Sequence, residues 1–163
     1  MTTGNGAPVR VGMVGVGYIG QIAHLANYVE IEGCEVAAIA EIRPGLRDAV
    51  AAHYGIPQTF PSHRELLDNA EVDAVIAGTR RHHTGPVALD CLKAGRHLLT
   101  EKPMAATLEC AETLAEAAKS ARVQYAIGYM KRHDEGVQLA KELIEGFMAS
   151  GELGPLTLAH FYC

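Results

Sequence analysis

Val9-Arg-Val-Gly-Met-Val-Gly15-Val-Gly17-Tyr-Ile-Gly20 is the stretch on which the fold turns. Val9, Val11, Met13 and Val14 form a short β-prone run that stops at Gly15, and Ile19, Ile22, Ala26 and Val29 then recur at helical spacing. The expected local structure is strand, tight turn, helix. Three glycines in the pattern G-x-G-x-x-G are weak evidence in a chain that has 17 of them. Placed between a strand and a helix, each acquires a task. Gly15 permits the tight turn, Gly17 lets the backbone approach a pyrophosphate, and Gly20 lets the helix pack closely on the sheet. The first helical amides, around Tyr18 and Ile19, then face the phosphates. The reading that needs no ligand is an ordinary glycine-rich turn in a βαβ unit.

Moving outward, Val36 to Ala40 is too short for a helix and β-branched enough for a buried strand. It ends at Glu41, about 20 residues past Gly20, where a dinucleotide site places the carboxylate that accepts hydrogen bonds from the adenosine ribose hydroxyls. A carboxylate there repels a 2′-phosphate and favours NAD over NADP. Arg43, two residues on, tempers that preference and leaves NADP open.

Pro44 opens a helix that ends near Gly55, and Gln58-Thr-Phe60 has room for a small strand. Ser62 with Glu65 makes a capping box for a short helix carrying Leu66 and Leu67. Ala74 to Ala77 is the next strand. After the loop Gly78 to His83, Thr84 is expected to cap a helix with Pro86 in its first turn and Gly95 at its stop. His97 to Thr100 and Val123 to Ile127 read as strands. Between them Thr107 to Ser120 is a helix, with Leu108, Ala111, Leu114 and Ala118 on one stripe. Strands alternating with helices at this spacing imply an α/β fold, a Rossmann-type doubly wound parallel sheet over residues 7–130. The tail differs. Val137, Ala140, Leu143, Ile144 and Phe147 describe an amphipathic crossover helix, and Gly154-Pro155 precedes a last β-prone run, Leu156 to Tyr162.

Composition narrows the function. With 48% apolar and 20% charged residues, the 163-residue chain has the make-up of a globular protein, long enough for one core but not for two full domains. The net charge is −5, and Arg80-Arg81 and Lys131-Arg132 are the only basic pairs that stand out, which argues against nucleic acid as a partner. No apolar run reaches the roughly 18 residues of a membrane helix, and the start has no signal-peptide layout. The expectation is a cytoplasmic protein with a disordered leader at 1–6. Cys34, Cys91, Cys110 and Cys163 lack any C-x-x-C spacing and read as reduced, mostly buried thiols, with terminal Cys163 exposed. His82 and His83 are adjacent but have no third ligand at a suitable spacing, so no metal is expected. His24, His53, His63 and His97 read as packing or surface histidines without paired partners.

Thr100-Glu101-Lys102-Pro103 stands at the carboxyl end of an expected strand, where open parallel sheets place their ligands. With the glycine loop, this resembles the glucose-fructose oxidoreductase and inositol dehydrogenase family, Gfo/Idh/MocA. The likeness runs from about Val9 to the end of the chain. Ala94-Gly-Arg-His-Leu-Leu-Thr-Glu-Lys-Pro103 is similar to that family's A-G-K-H-V-L-x-E-K-P, and Gly128-Tyr-Met-Lys-Arg132 to its G-[FY]-x-R-R. The resemblance implies a nicotinamide-dependent oxidoreductase that moves hydride to or from a hydroxyl or carbonyl of a sugar, cyclitol or similar small molecule. It implies that Lys102 points at the nicotinamide and the reacting hydroxyl, that Glu101 helps place the nicotinamide ribose, and that a cis peptide precedes Pro103. Thr79-Arg-Arg-His-His83 occupies the place of the family's T-P-x-x-x-H, lining the nicotinamide; His83 is matched to its histidine, and Arg80 replaces its proline. Arg132 corresponds to the family's arginine near the substrate. Without the motif, Lys102 would read as a surface lysine paired with Glu101.

Members of this family are about twice as long, and their second half supplies the substrate pocket. Residues 131–163 are therefore expected to be a linker helix and the first strand of a second domain absent from this chain. Cofactor binding would survive and efficient turnover would not. An unpaired last strand suggests a homo-oligomer or a partner chain that supplies the C-terminal domain. The alternatives are a non-catalytic NAD(H)-binding regulatory or partner subunit, indifferent to Lys102→Ala, and a remnant that binds nothing, indifferent to Gly17→Val.

Overall fold

The computed structural model describes residues 6–160, so most of the expected leader and Cys163 lie outside the described residues. The chain divides into two units on either side of the Gly128–Tyr129 peptide.

The first unit is built on one six-stranded sheet, in the order β3-β2-β1-β4-β5-β6. The strands are β1 (Val9–Val14), β2 (Cys34–Ala40), β3 (Gln58–Phe60), β4 (Ala74–Ala77), β5 (His97–Thr100) and β6 (Tyr125–Ile127). Every neighbouring pair is parallel. The order reverses between β1 and β4, and that reversal opens a crevice at the carboxyl edge.

Both faces of the sheet are covered, and period-two alternation sorts the side chains between them. Val11, Met13, Ile39 and Ile76 pack with Leu25, Val50 and Ile56 in one layer. Val14, Ala38, Ala40, Val75 and Ala77 pack with Leu66, Ala88, Leu92, Leu98 and Leu114 in the other. Strands buried on both faces need apolar residues at successive positions, which is why these runs are nearly continuous.

The helices are α2 (Pro44–Tyr54), α3 (His63–Asn69), α4 (Arg81–Lys93) and α5 (Leu108–Ala121), with a π-helical stretch Gly20–Leu25 running into a short α1 (Ala26–Tyr28). Pro44 starts α2, and Gly55, in the left-handed region at φ 67°, ends it. Ser62 Oγ accepts the Glu65 N–H at 3.2 Å to cap α3, and Thr107 Oγ1 accepts the Cys110 N–H at 3.3 Å to cap α5. Helices α4 and α5 meet at Gly85, where a Cβ would come within 2.7 Å of Cys110 Sγ.

Four expectations are corrected. After Gly20 the chain does not bury the stripe Ile19, Ile22, Ala26, Val29; all four are exposed, and His24 and Leu25 are buried instead. The π-helical turn is wider than 3.6 residues, so an α-spaced stripe drifts off the face. Helix α4 starts at Arg81 rather than at a Thr84 cap. Thr84 is buried inside the helix, its hydroxyl donating back to the Arg80 carbonyl at 3.4 Å, and Pro86 lies within the helix rather than in its first turn. On α5, Leu108 is exposed and Leu114 anchors the helix, because Leu108 lies one residue past the cap, before the first turn reaches the sheet.

The second unit consists of a 3-10 turn (Met130–His133) and α6 (Glu135–Ser150), whose cap is Asp134. Val137, Leu143 and Phe147 along its apolar stripe are exposed. The strand expected over Leu156 to Tyr162 does not form in 156–160, and its remainder lies outside the described residues. No described strand pairs with this segment, and an unpaired strand leaves its backbone groups to water. Among the described residues no helix is long and apolar enough to cross a membrane.

Candidate functional site

The crevice is built where β1 and β4 end. Gly15 follows β1 at φ 83°, and a Cβ there would sit 2.7 Å from the Gly78 carbonyl oxygen, so the two turns are in direct contact. Helical structure begins at Tyr18, and Gly20 lies so close to Gly15 that a Cβ would run into the Gly15 carbonyl. Gly17 is different: a Cβ there meets nothing nearer than the tip of Arg43, Nη2, at 3.5 Å. The fold itself has room for a Cβ at Gly17, and the backbone there is open to an approaching group. A pyrophosphate on the orphan amides of the helix start fits that cradle.

Glu41 leaves β2 beside this loop, since the Gly15 N–H donates to the Ala40 carbonyl at 2.8 Å. Its side chain is buried. Arg43 holds it with Nε on Oε1 at 2.8 Å, Nη2 on Oε2 at 3.1 Å and its backbone N–H on Oε1 at 3.1 Å. Burial pushes the Glu41 carboxyl up. The Arg43 guanidinium, with the backbone N–H groups of Arg43 and Val16, outweighs burial and holds it below the usual carboxylate range. A ribose diol reaching Glu41 would have to share or displace the guanidinium.

Glu101 and Lys102 leave β5 next to the end of β4; the Glu101 N–H donates to the Ala77 carbonyl at 3.0 Å. The Glu101 carboxylate is held twice, by His24 Nε2 at 2.9 Å from Oε1 and by the Lys102 N–H at 3.2 Å from Oε2. Lys102 is exposed, and its ammonium has no ion pair among the described residues, so the pairing with Glu101 that a surface lysine would make is absent. The peptide between Lys102 and Pro103 is cis.

Thr79 follows β4 and its hydroxyl lies 3.2 Å from that of Thr84. Five residues on from Thr79, the spacing of T-P-x-x-x-H, is Thr84 rather than His83. Thr84 is buried against Thr79, whereas His83 is exposed on the first turn of α4, its ring against His82. Arg132 lies in the 3-10 turn of the second unit. No group of three or more metal-ligating side chains occurs among the described residues.

Sequence reasoning missed three histidine partnerships. His24 bonds Glu101, His63 Nε2 lies 2.9 Å from Asp90 Oδ2, and His97 Nδ1 accepts the Gln124 N–H at 3.1 Å. His24 carried a usable signal: it stands four residues after Gly20, within the helical stretch that the glycine loop opens. The other two join elements distant in sequence and left none.

The model of an oxidoreductase family with an NAD-binding Rossmann fold, Gfo/Idh/MocA, matches residues 9–129. This chain belongs to that family. Inositol 2-dehydrogenase 1 of Saccharopolyspora erythraea is 34% identical over 160 residues, covering 93% of this chain and 44% of that protein. An inositol 2-dehydrogenase of Salmonella typhimurium is 30% identical over 156 residues, covering 93% and 45%. Among solved structures, the WlbA dehydrogenase of Bordetella pertussis in complex with NADH and UDP-GlcNAcA is 27% identical with a TM-score of 0.82, covering 90% of this chain and 41% of that one. The chain thus spans less than half the length of the curated relatives it matches. Its 9–129 segment is that family's NAD-binding Rossmann domain.

Proposed function

We propose that this domain serves a dehydrogenase that exchanges hydride between NAD and a CH–OH group of a cyclitol, sugar or similar polyol. The observation that carries the reading is the unpaired Lys102 ammonium at the carboxyl edge of β5, beside the switch-point crevice. Bound NAD supplies the hydride acceptor. The glycine loop 15–20 holds its pyrophosphate, Glu41 its adenosine ribose, and Glu101 its nicotinamide ribose. Thr79 and the start of α4, with His83, border the nicotinamide. When the hydroxyl is oxidised the neutral Lys102 amine takes its proton as hydride leaves the carbinol carbon, and in the reverse direction the ammonium returns that proton to the carbonyl oxygen. Arg132 enters as a substrate contact from its G-[FY]-x-R-R motif.

Hydride transfer needs the carbinol carbon held a few ångströms from its acceptor with water excluded. The groups that enclose the substrate therefore come from further protein, whether in the same polypeptide, in another copy or in a partner. The name of the S. erythraea relative supports an inositol as the first substrate to try.

The test is NAD reduction followed by absorbance on a panel of inositols and aldoses, with Lys102→Met beside the wild-type protein, each assayed together with the further protein that completes the substrate pocket. The expected result is a rate lowered by about 10²–10⁴-fold with NADH affinity changed less than about threefold. Equal rates in the two proteins would remove Lys102 from the chemistry.

A further inference from the structure

His24 is buried beside the site, and none of the roles above uses it. It reaches across 77 residues of sequence to place Nε2 2.9 Å from Glu101 Oε1, with the two side chains only 11% and 19% exposed. A carboxylate offers about four lone-pair positions. Here two are taken, one by His24 and one by the Lys102 N–H, and both oxygens keep a free acceptor position.

His24 belongs to the π-helical stretch that starts at Gly20, and its widened turn puts consecutive residues, His24 and Leu25, into the protein. Such turns concentrate at functional sites. One rigid element thus carries the phosphate loop at its start and, one turn later, the donor that fixes Glu101. Released from His24, the Glu101 carboxylate would have the ammonium of its own neighbour, Lys102, as the nearest cation in sequence.

We propose that His24 is a positioning residue. It holds the Glu101 carboxylate off the Lys102 ammonium, so that Glu101 keeps its free lone pairs for the nicotinamide ribose and Lys102 its charge for the substrate oxygen. The inference rests on the dehydrogenase reading above and deepens it, since it says how the two adjacent, oppositely charged residues of that site are kept from neutralising each other.

The experiment titrates NADH, followed by its own fluorescence, into the wild-type chain and into His24→Leu, His24→Gln, Glu101→Gln and the His24→Leu/Glu101→Gln double variant. A thermal scan of each checks folding. His24→Leu removes the donor and is expected to weaken NADH binding about tenfold or more, as loss of a hydrogen bond to a charged group does. His24→Gln, whose amide nitrogen reaches the place of Nε2, is expected to bind within about threefold of wild type. The double variant is expected to be no weaker than the weaker single one, because both changes remove the same interaction.

Wild-type affinity in His24→Leu alongside weakened Glu101→Gln overturns the role of His24 and leaves the cofactor reading standing. Additive losses with no rescue by Gln reduce His24 to packing and overturn it too. Wild-type affinity in Glu101→Gln, or no binding by the wild-type chain, removes both readings. Should His24→Leu not fold, His24→Asn gives the contrast, because its shorter amide stops at the place of Nδ1 and is expected to fail where Gln rescues.

Discussion

Gly17 and Gly20 sit three residues apart and call for glycine on different grounds. A Cβ at Gly20 collides with the Gly15 carbonyl, a backbone atom that cannot step aside, whereas at Gly17 it points into open space bounded by the Arg43 tip. Gly20→Ala is therefore expected to cost about 1–3 kcal/mol, and to lower Tm by roughly 3–10 °C in a thermal scan without cofactor. Gly17→Ala is expected to keep the wild-type Tm while losing at least about tenfold in NADH affinity, read by fluorescence titration. An NADH affinity unchanged in Gly17→Ala would mean that no phosphate approaches this loop. Glu41 gives a second outcome at this scale. Its carboxyl titrates below its ordinary value in the folded chain, so the charged form stabilises the fold above the unfolded pKa, and that contribution is lost as pH falls through the folded one. Arg43→Gln removes the guanidinium and leaves only backbone N–H groups to oppose burial of the carboxylate. Tm measured against pH between about 3 and 7 is expected to lie lower in the variant near neutral pH and to fall less on acidification, so that the two curves converge as pH falls.

Asp90 on α4 ties that helix to α3, accepting from Arg64 Nε at 3.0 Å and bonding His63 Nε2 at 2.9 Å. The His63 hydrogen bond, aided by Arg64, holds the Asp90 carboxyl below its usual range despite partial burial. Asp90→Asn is expected to lower stability at neutral pH by about 1 kcal/mol, or roughly 2–4 °C in Tm, the scale of a partly exposed pair. Because the folded pKa is depressed, the difference from wild type should shrink as pH falls through it; a constant difference would put the loss down to packing. The elements themselves separate what local sequence dictates from what it does not. Pro44 and Gly55 bound α2, Ser62 caps α3 and Thr107 caps α5, all through residues within one turn. Thr84 looked like the same kind of signal and is not one, because its hydroxyl is used by Thr79 and by the Arg80 carbonyl inside a helix already begun.

Across the whole molecule, the parallel sheet covered on both faces follows from an alternation of apolar strands and capped helices that can be read off the chain, while its strand order comes from the structure. The glycine loop and Glu41 could be singled out from local pattern, by their distance from a strand end, and Glu101 and Lys102 from the resemblance to a family motif. What stayed hidden depends on contacts between segments remote in sequence. The π-helical turn buried His24 and Leu25 in place of Ile19 and Ile22. The bond from His24 to Glu101 spans 77 residues. The sequence by itself determined the element order, the doubly wound fold and the glycine turn after β1, since periodicity, caps and glycine spacing act within a turn or a strand. Only the tertiary structure decided which charged groups neutralise one another and which stay free, because in a packed protein that choice belongs to whichever partner the fold brings within hydrogen-bond reach.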